Sequence, residues 1–111
     1  MEGLGKHCIL NLHGCKFEDL NDVDFVVSLI EESAIISGAT ILKTVSHKFS
    51  PQGVTALCLL SESHISIHTY PELGKCFADI YTCGDADPKK GCENIISKLN
   101  PESFDMKFIG R

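Results

Sequence analysis

The chain has 111 residues and a formal net charge of −5, with 43% hydrophobic and 23% charged residues. This length and composition predict one folded globular domain, and exclude a disordered chain. Its ten Lys and Arg are scattered and never exceed the pair Lys89-Lys90, which argues against nucleic acid as a partner. The acidic balance slightly favours a small cationic ligand. A domain this small also gains stability from a second copy, so we expect a homodimer.

No segment approaches the about 18 apolar residues that a membrane span requires, and the first residues lack the layout of a signal peptide. We therefore expect a cytoplasmic protein without membrane contact. The six cysteines form no C-x-x-C pair, and three of them lie inside apolar runs. Buried thiols in a reducing location are predicted, without a disulfide framework.

In chain order, an alternating apolar run over residues 6–12 predicts a first strand that ends at His13-Gly14. A helix follows, with Asn21 as the predicted N-cap and Gly38 as the C-terminal stop. Alternation and turn residues then predict four strands, over residues 40–48, 54–60, 64–69 and 76–82. Asp87 and Pro88 predict the start of a second helix, which Asn100-Pro101 ends, and residues 104–109 predict a last strand.

The short connections between the four consecutive strands favour antiparallel neighbours, because a parallel crossover needs a dozen residues or more. The sequence therefore predicts an α+β fold. Its expected form is a two-layer α/β sandwich, with a mainly antiparallel sheet and two helices on one face.

Reactive side chains are densest in residues 61–69, which read SESHISIHT. Strand alternation places His64, Ser66 and His68 on one face and two isoleucines on the other. Four interpretations fit these residues: a half-exposed polar strand, a metal site, a serine nucleophile with a histidine base, and self-cleavage by a serine. A metal site at His64 and His68 would need a third ligand such as Cys83 or an acid, and zinc-type spacing is missing. A hydrolase of the G-x-S-x-G type would need that motif, which is also missing.

Three blocks of sequence identify a family resemblance: HKFSPQGV at residues 47–54, SESHISIHTYPE at 61–72 and DIYTCG at 79–84. Together with SGAT at residues 37–40, they closely resemble the prokaryotic-type S-adenosylmethionine decarboxylase proenzymes. The resemblance runs from about residue 5 to residue 88. It favours self-cleavage over the other three interpretations.

The resemblance implies that the chain cuts itself between Glu62 and Ser63, into a β chain of residues 1–62 and an α chain of residues 63–111. In the family, the serine hydroxyl attacks the preceding carbonyl to give an ester, and elimination then releases the upstream chain. The remaining dehydroalanine loses ammonia and becomes a pyruvoyl group. Ser63 is thus the implied precursor of the cofactor, and no metal is implied.

Other site residues are assigned by the same resemblance. His68 matches the histidine that the family uses in processing, and Thr55 stands where a serine that supports processing is expected. Cys83 matches the catalytic proton donor, a role that a thiol can perform near neutral pH. The types and positions of Phe49, Tyr70 and Glu72 suit an adenosyl substrate, since aromatic rings can stack on a purine and a carboxylate can accept from ribose hydroxyls.

One residue departs from the family, because Asn11 stands where an acidic residue is expected. The implied activity is decarboxylation of S-adenosylmethionine to the aminopropyl donor for spermidine synthesis, by a homodimer of cleaved protomers with active sites near their interface. Two alternatives remain open: an arginine or ornithine decarboxylase on the same pyruvoyl scaffold, and an uncleaved, non-enzymatic paralogue.

Overall fold

The structure is a computed structural model, and it describes residues 5–61 and 63–111. Glu62, on the upstream side of the predicted cleavage bond, lies outside the described residues. The described part forms one six-stranded sheet with helices on one side.

The sheet has the order β2-β3-β4-β5-β1-β6, and each neighbouring pair is antiparallel. Its strands are β1 (Gly5–His13), β2 (Ile41–Lys48), β3 (Val54–Leu60), β4 (Ser63–Tyr70), β5 (Lys75–Cys83) and β6 (Ser103–Gly110). All six predicted strands are present, with ends within one residue of the prediction. The long crossover from β1 to β2 is made by the helices, which leaves β1 between β5 and β6.

Three helices lie on one face: α1 (Phe17–Leu20), α2 (Val23–Ser37) and α3 (Pro88–Leu99), and a 3-10 turn spans Pro71–Leu73. The two long helices confirm the predicted pair, and the one-turn α1 was not predicted. The predicted N-cap of α2 was wrong by one residue, since the Asp22 side chain accepts from Phe25 N at 3.1 Å. Asn21 instead accepts from Gly53 N at 3.0 Å, so its amide is used by a tertiary contact.

The core lies between the sheet and the helices. Ile65 and Ile67 of β4 and Ile80 of β5 are fully buried against residues of α2 and α3. Helix α3 lies close to α2 because residue 91 is glycine, where a Cβ would come within 2.9 Å of the Ser33 carbonyl oxygen. These contacts confirm the predicted two-layer α+β arrangement.

The other face of the sheet carries no helix in the described residues, and we call it the open face. The predicted alternation in β4 is confirmed, because both isoleucines are buried while His64, Ser66 and His68 are at least partly exposed. No helix among the described residues is long and apolar enough to span a membrane. The open face is defined by the following side chains: His7, Asn11, Val45, Leu57, Leu59, His64, Ser66, His68, Phe77, Asp79 and Tyr81.

Candidate active site

Ser63 is the first residue of β4 and follows directly on the turn from β3. Its Oγ donates to the Ser61 carbonyl oxygen at 3.2 Å, and the residue is half-buried. The register pairs His64 with Tyr81, so Ser63 lies beside the last residues of β5, where Cys83 ends the strand. The predicted cofactor precursor and the predicted proton donor are therefore at the same end of two neighbouring strands, which we call the Ser63 end.

Cys83 differs from the other cysteines in its surroundings. All six lie in the described ranges, and Cys83 alone among them is half-buried while the other five are buried. Burial raises the pKa of the Cys15 thiol to about 11, and it also raises the pKa of Cys76. Those two thiols are poor proton donors or nucleophiles at neutral pH. The thiol at the Ser63 end is the accessible one, as a catalytic acid requires.

A cavity of about 380 Å³ lies at the opposite end of β3 and β4, and we call it the pocket end. Thr55 and His68 face each other across the two strands, and Thr55 Oγ1 is 3.2 Å from His68 Nδ1. The cavity volume is in the range of small-molecule sites. Its lining contains every residue that the sequence assigned to processing support and substrate binding, with His68: Phe49, Thr55, His68, Tyr70 and Glu72.

The aromatic side chains of this cavity are available to a ligand. Phe49 is 46% exposed and Tyr70 is 43% exposed, so neither is a core residue. The Phe49 ring contacts the His47 ring edge-on, with centroids 4.6 Å apart, and Tyr70 contacts Phe77 in the same way at 5.6 Å. Both rings therefore have part of their surface open to solvent, where a ligand could contact them.

Three further residues line the cavity and were not singled out from the sequence: Gln52, Gly53 and Thr69. Buried Thr69 donates to the Leu20 carbonyl oxygen at 2.7 Å and accepts from Val54 N at 2.9 Å. Gly53 has φ +111, a conformation that favours glycine, and its N–H is bound by Asn21. The contacts that fix this wall come from residues about 30 to 50 positions away, so local sequence carried no signal for them.

The two ends of the site are far apart within one chain. Ser63 and His68 are five residues apart on one extended strand, which corresponds to about 16 Å. No segment of the described chain folds back to bring the ends together. The residues assigned to one reaction therefore form two half-sites at opposite ends of the sheet.

A third polar group lies between the ends and was not predicted as a unit. Asp79 Oδ2 is 2.7 Å from His7 Nε2 and 2.9 Å from His64 Nε2, and its Oδ1 accepts from Ser66 Oγ. Burial raises the Asp79 pKa, but the hydrogen bonds from Ser66, His64 and His7 outweigh burial and bring that pKa below its ordinary value. His7 comes from β1 and Asp79 from β5, and only the sheet order makes them neighbours of His64.

The ligand atoms of His7, His64 and Asp79 lie within 4.8 Å of one another, close enough to hold a divalent metal ion. Arg111 Nη1, however, is 3.4 Å from His7 Nδ1. A guanidinium only donates, so Nδ1 is the acceptor and Nε2 carries the proton that Asp79 binds. A metal on Nε2 would need the opposite tautomer, so the geometry favours a hydrogen-bonded cluster. Of the ligands considered from the sequence, His64 and an acid belong to this cluster, whereas His68 and Cys83 do not.

Asn11, where the family is expected to have an acid, lies on the open face. It is paired with Phe77 on one side and with Asp105 of β6 on the other. Phe77 is in turn paired with His68, so Asn11 lies two strands from the pocket end. A carboxylate is therefore still present next to this position, on the neighbouring strand.

Comparisons with known proteins show which family the chain is similar to. The model of the S-adenosylmethionine decarboxylase family matches residues 6–111. The chain is 44% identical over 109 residues to the S-adenosylmethionine decarboxylase proenzyme of Prochlorococcus marinus, covering 97% of this chain and 89% of that protein. It is 43% identical to the proenzyme of Bacillus velezensis, covering 100% of this chain and 88% of that protein.

A solved structure has the same fold. The crystal structure of adenosylmethionine decarboxylase from Aquifex aeolicus superposes with a TM-score of 0.91 and 33% identity, covering 100% of this chain and 92% of that one. The family match spans both ends of the open face and the strands between them. The chain belongs to the S-adenosylmethionine decarboxylase family.

Proposed function

We propose that this protein is a self-processing, pyruvoyl-dependent S-adenosylmethionine decarboxylase that makes the aminopropyl donor for spermidine synthesis. The observation that carries the proposal is the content of the pocket end. One cavity collects two exposed aromatic rings, a carboxylate and the Thr55–His68 pair, and two of these residues, His68 and Tyr70, lie on the strand that begins at Ser63.

Processing begins at the Ser63 hydroxyl. The Oγ–C bond to the Glu62 carbonyl forms as the peptide C–N bond breaks, and the proton moves from Oγ to nitrogen. Elimination then breaks the Cβ–O bond, so residues 1–62 leave as a carboxylate and residue 63 becomes dehydroalanine. Addition of water and loss of ammonia leave the pyruvoyl group. In a homodimer, His68 and Thr55 of the second copy carry the protons in these steps, as an imidazole and a hydroxyl can near neutral pH.

The half-buried position of Ser63 beside the end of β5 fits a pyruvoyl group, which supplies an electron sink for the bond to carbon dioxide. The Cys83 thiol then returns a proton to the carbon that has lost carbon dioxide. Its partly exposed position at the same end of the neighbouring strand is the arrangement that this transfer needs.

Substrate binding is assigned to the pocket end. The faces of Phe49 and Tyr70 stack on the purine, and Glu72 accepts hydrogen bonds from the ribose hydroxyls. Arginine and ornithine carry no purine, and they would leave the two exposed rings of the pocket without a stacking partner. The pocket therefore favours the adenosyl substrate among the three cationic candidates.

The separation of the half-sites supports a homodimer as the working form. If two open faces pack together about a two-fold axis that runs across the strands, the Ser63 end of one copy meets the pocket end of its partner. Each dimer then holds two complete sites. The apolar part of the open face supports this packing, since Val45, Leu57 and Leu59 are 47%, 41% and 55% exposed side by side on β2 and β3.

Intact-mass measurement combined with a carbon dioxide assay tests the proposed function. We expect two fragments, residues 1–62 and residues 63–111, the second lighter by one ammonia than a serine-terminated chain. Ser63→Ala should remain whole. A single uncleaved mass after prolonged incubation would contradict self-processing and favour a non-enzymatic paralogue. Release of carbon dioxide from arginine or ornithine, with none from S-adenosylmethionine, would contradict the assigned substrate.

Co-expression of two inactive variants tests the shared site. Ser63→Ala keeps an intact pocket end, whereas His68→Ala keeps an intact Ser63 end. In a mixed dimer, one site receives both intact halves, so random pairing should restore about one quarter of wild-type sites. Ser63→Ala and His68→Ala should each remain inactive when expressed alone. Absence of recovery in the mixture would mean that each site is built within one chain.

A further inference from the structure

We propose that Asp79 is a positioning residue for the proposed reaction. Its carboxylate holds His64, the second residue of the cleaved α chain, and so keeps the new terminus beside Cys83 after the backbone is cut. This inference rests on cleavage at Ser63. None of the site residues assigned above has this task.

Cleavage leaves the start of β4 weakly held. Leu60 and Ser63 form the last pair of the ladder between β3 and β4, so the cut falls at the ladder's end. The cut residue also loses its backbone N–H, because its nitrogen leaves as ammonia. Strand ends with few backbone hydrogen bonds open readily. The reacting group therefore begins on the least secured residue of the strand.

The new terminus must also turn. In the uncut strand, Ser63 alternates with His64 and belongs to the helix-facing set of Ile65 and Ile67, whereas Cys83 belongs to the open-face set of Tyr81 and Asp79. Residue 63 has to reorient toward the open face while the residue behind it stays in register. A side-chain contact made by His64 keeps that residue in register while it leaves residue 63 able to reorient.

Asp79 provides this contact from the strand that carries Cys83. It lies on the same face four residues before Cys83, and it is bound by His64 from β4 at 2.9 Å and by His7 from β1 at 2.7 Å. The Asp79 and His7 side chains are 23% and 15% exposed, whereas His64 is 44% exposed. The more buried His7–Asp79 contact fixes the carboxylate, which in turn fixes His64.

The charge of the carboxylate strengthens this link. Three donors converge on Asp79, and they keep it ionised by bringing its pKa below the ordinary value. Hydrogen bonds to an ionised acceptor are stronger than neutral ones. Tyr81 contacts both imidazoles, with ring centroids 5.5 Å from His7 and 6.0 Å from His64, so the three rings pack together beside the carboxylate.

The test compares His64→Leu, which removes the donor, with His64→Gln, which keeps an N–H near the position of Nε2. Three quantities are measured on each purified protein: the cleaved fraction by intact mass, kcat per cleaved chain with KM, and amide hydrogen exchange over residues 64–66. We expect His64→Leu and Asp79→Ala to speed this exchange and to lower kcat, each about tenfold, with KM little changed. His64→Gln should restore most of both. Glu32→Gln, which removes a carboxylate 3.8 Å from Lys98 on the helix layer, is the matched control and should change neither.

Each outcome separates the two proposals. A wild-type chain that never cleaves rejects the proposed function. A wild type that cleaves and turns over, with unchanged exchange and kcat in His64→Leu, overturns the positioning role alone. If Asp79→Ala does not fold, the comparison of His64→Leu with His64→Gln still tests the proposal. Both substitutions should be tolerated, because the His64 side chain is nearly half exposed. Loss of turnover in a chelator, reversed by Zn²⁺ alone, would also overturn the proposal by making the cluster a metal site.

Discussion

The two ends of the open face are built differently. The Ser63 end consists of strand termini, where Ser63 and Cys83 are placed by the register of β4 and β5. The pocket end is a cavity whose wall is held by distant contacts, from Asn21 to Gly53 and from Thr69 to the chain at Leu20. Ser63 and His68, which represent the two ends, lie about 16 Å apart on one extended strand. Under the proposed function, the two groups form a complete site only when a second copy supplies the missing half.

The largest expected effect is at the Ser63 end. Cys83→Ala should cleave normally yet lower kcat by about 10²–10⁴-fold, because general-acid groups contribute about that factor. Intact mass measures cleavage, and carbon dioxide release measures turnover. Turnover above half of the wild-type value, per cleaved chain, would remove Cys83 from the role of proton donor.

The next largest effect is expected at the proposed dimer interface, the apolar part of the open face. Leu59→Lys puts a charge in the apolar part of the open face, opposite Lys43 in the register, and desolvating it costs about several kcal/mol. We expect dissociation into monomers, seen by sedimentation, and slow cleavage that speeds up with protein concentration. Ile35→Lys is the matched control, since Ile35 is 67% exposed on the helix layer. A dimeric, normally cleaving Leu59→Lys would place the interface elsewhere.

A smaller effect is expected at the pocket end. Glu72→Gln removes a charged acceptor, and hydrogen bonds to charged groups are worth about 1.5–3 kcal/mol, so KM should rise about 10- to 100-fold. Cleavage and kcat should change much less, because the acid binds ribose and does not transfer protons. Glu93→Gln, an exposed acid on α3, controls for the charge change. An equal loss in kcat would assign Glu72 to the chemistry instead.

The smallest effect is on stability between the two ends. The Asp79 pKa lies below its ordinary value of 3.8 in the folded state. Its contribution to the free energy of unfolding is therefore fully present above that ordinary value, and is lost as pH falls through the lowered one. Urea unfolding at about pH 5 and about pH 3 should show the gap between wild type and Asp79→Asn narrowing at the lower pH. A gap that stays constant would contradict the ionised cluster.

The sequence by itself determined the local features. Alternation in β4 placed His64, Ser66 and His68 on one face, and turn residues placed the strand ends within one residue. Two of the three family blocks, residues 47–54 and 61–72, also contain every residue that lines the pocket except Thr55. These features depend on neighbours within a few positions, where side-chain period and turn chemistry decide the outcome.

Tertiary structure decided which of those residues meet. Asn21 has the chemistry of an N-cap, but Asp22 caps the helix and Asn21 binds Gly53, because the loop packs there. His64 was weighed with His68, yet the sheet order brings it to His7 and Asp79, from strands 57 residues before and 15 after it. The separation of Ser63 from His68 is likewise a property of an extended strand that no segment folds over. Pairing between distant strands sets such contacts, and no local period encodes that pairing.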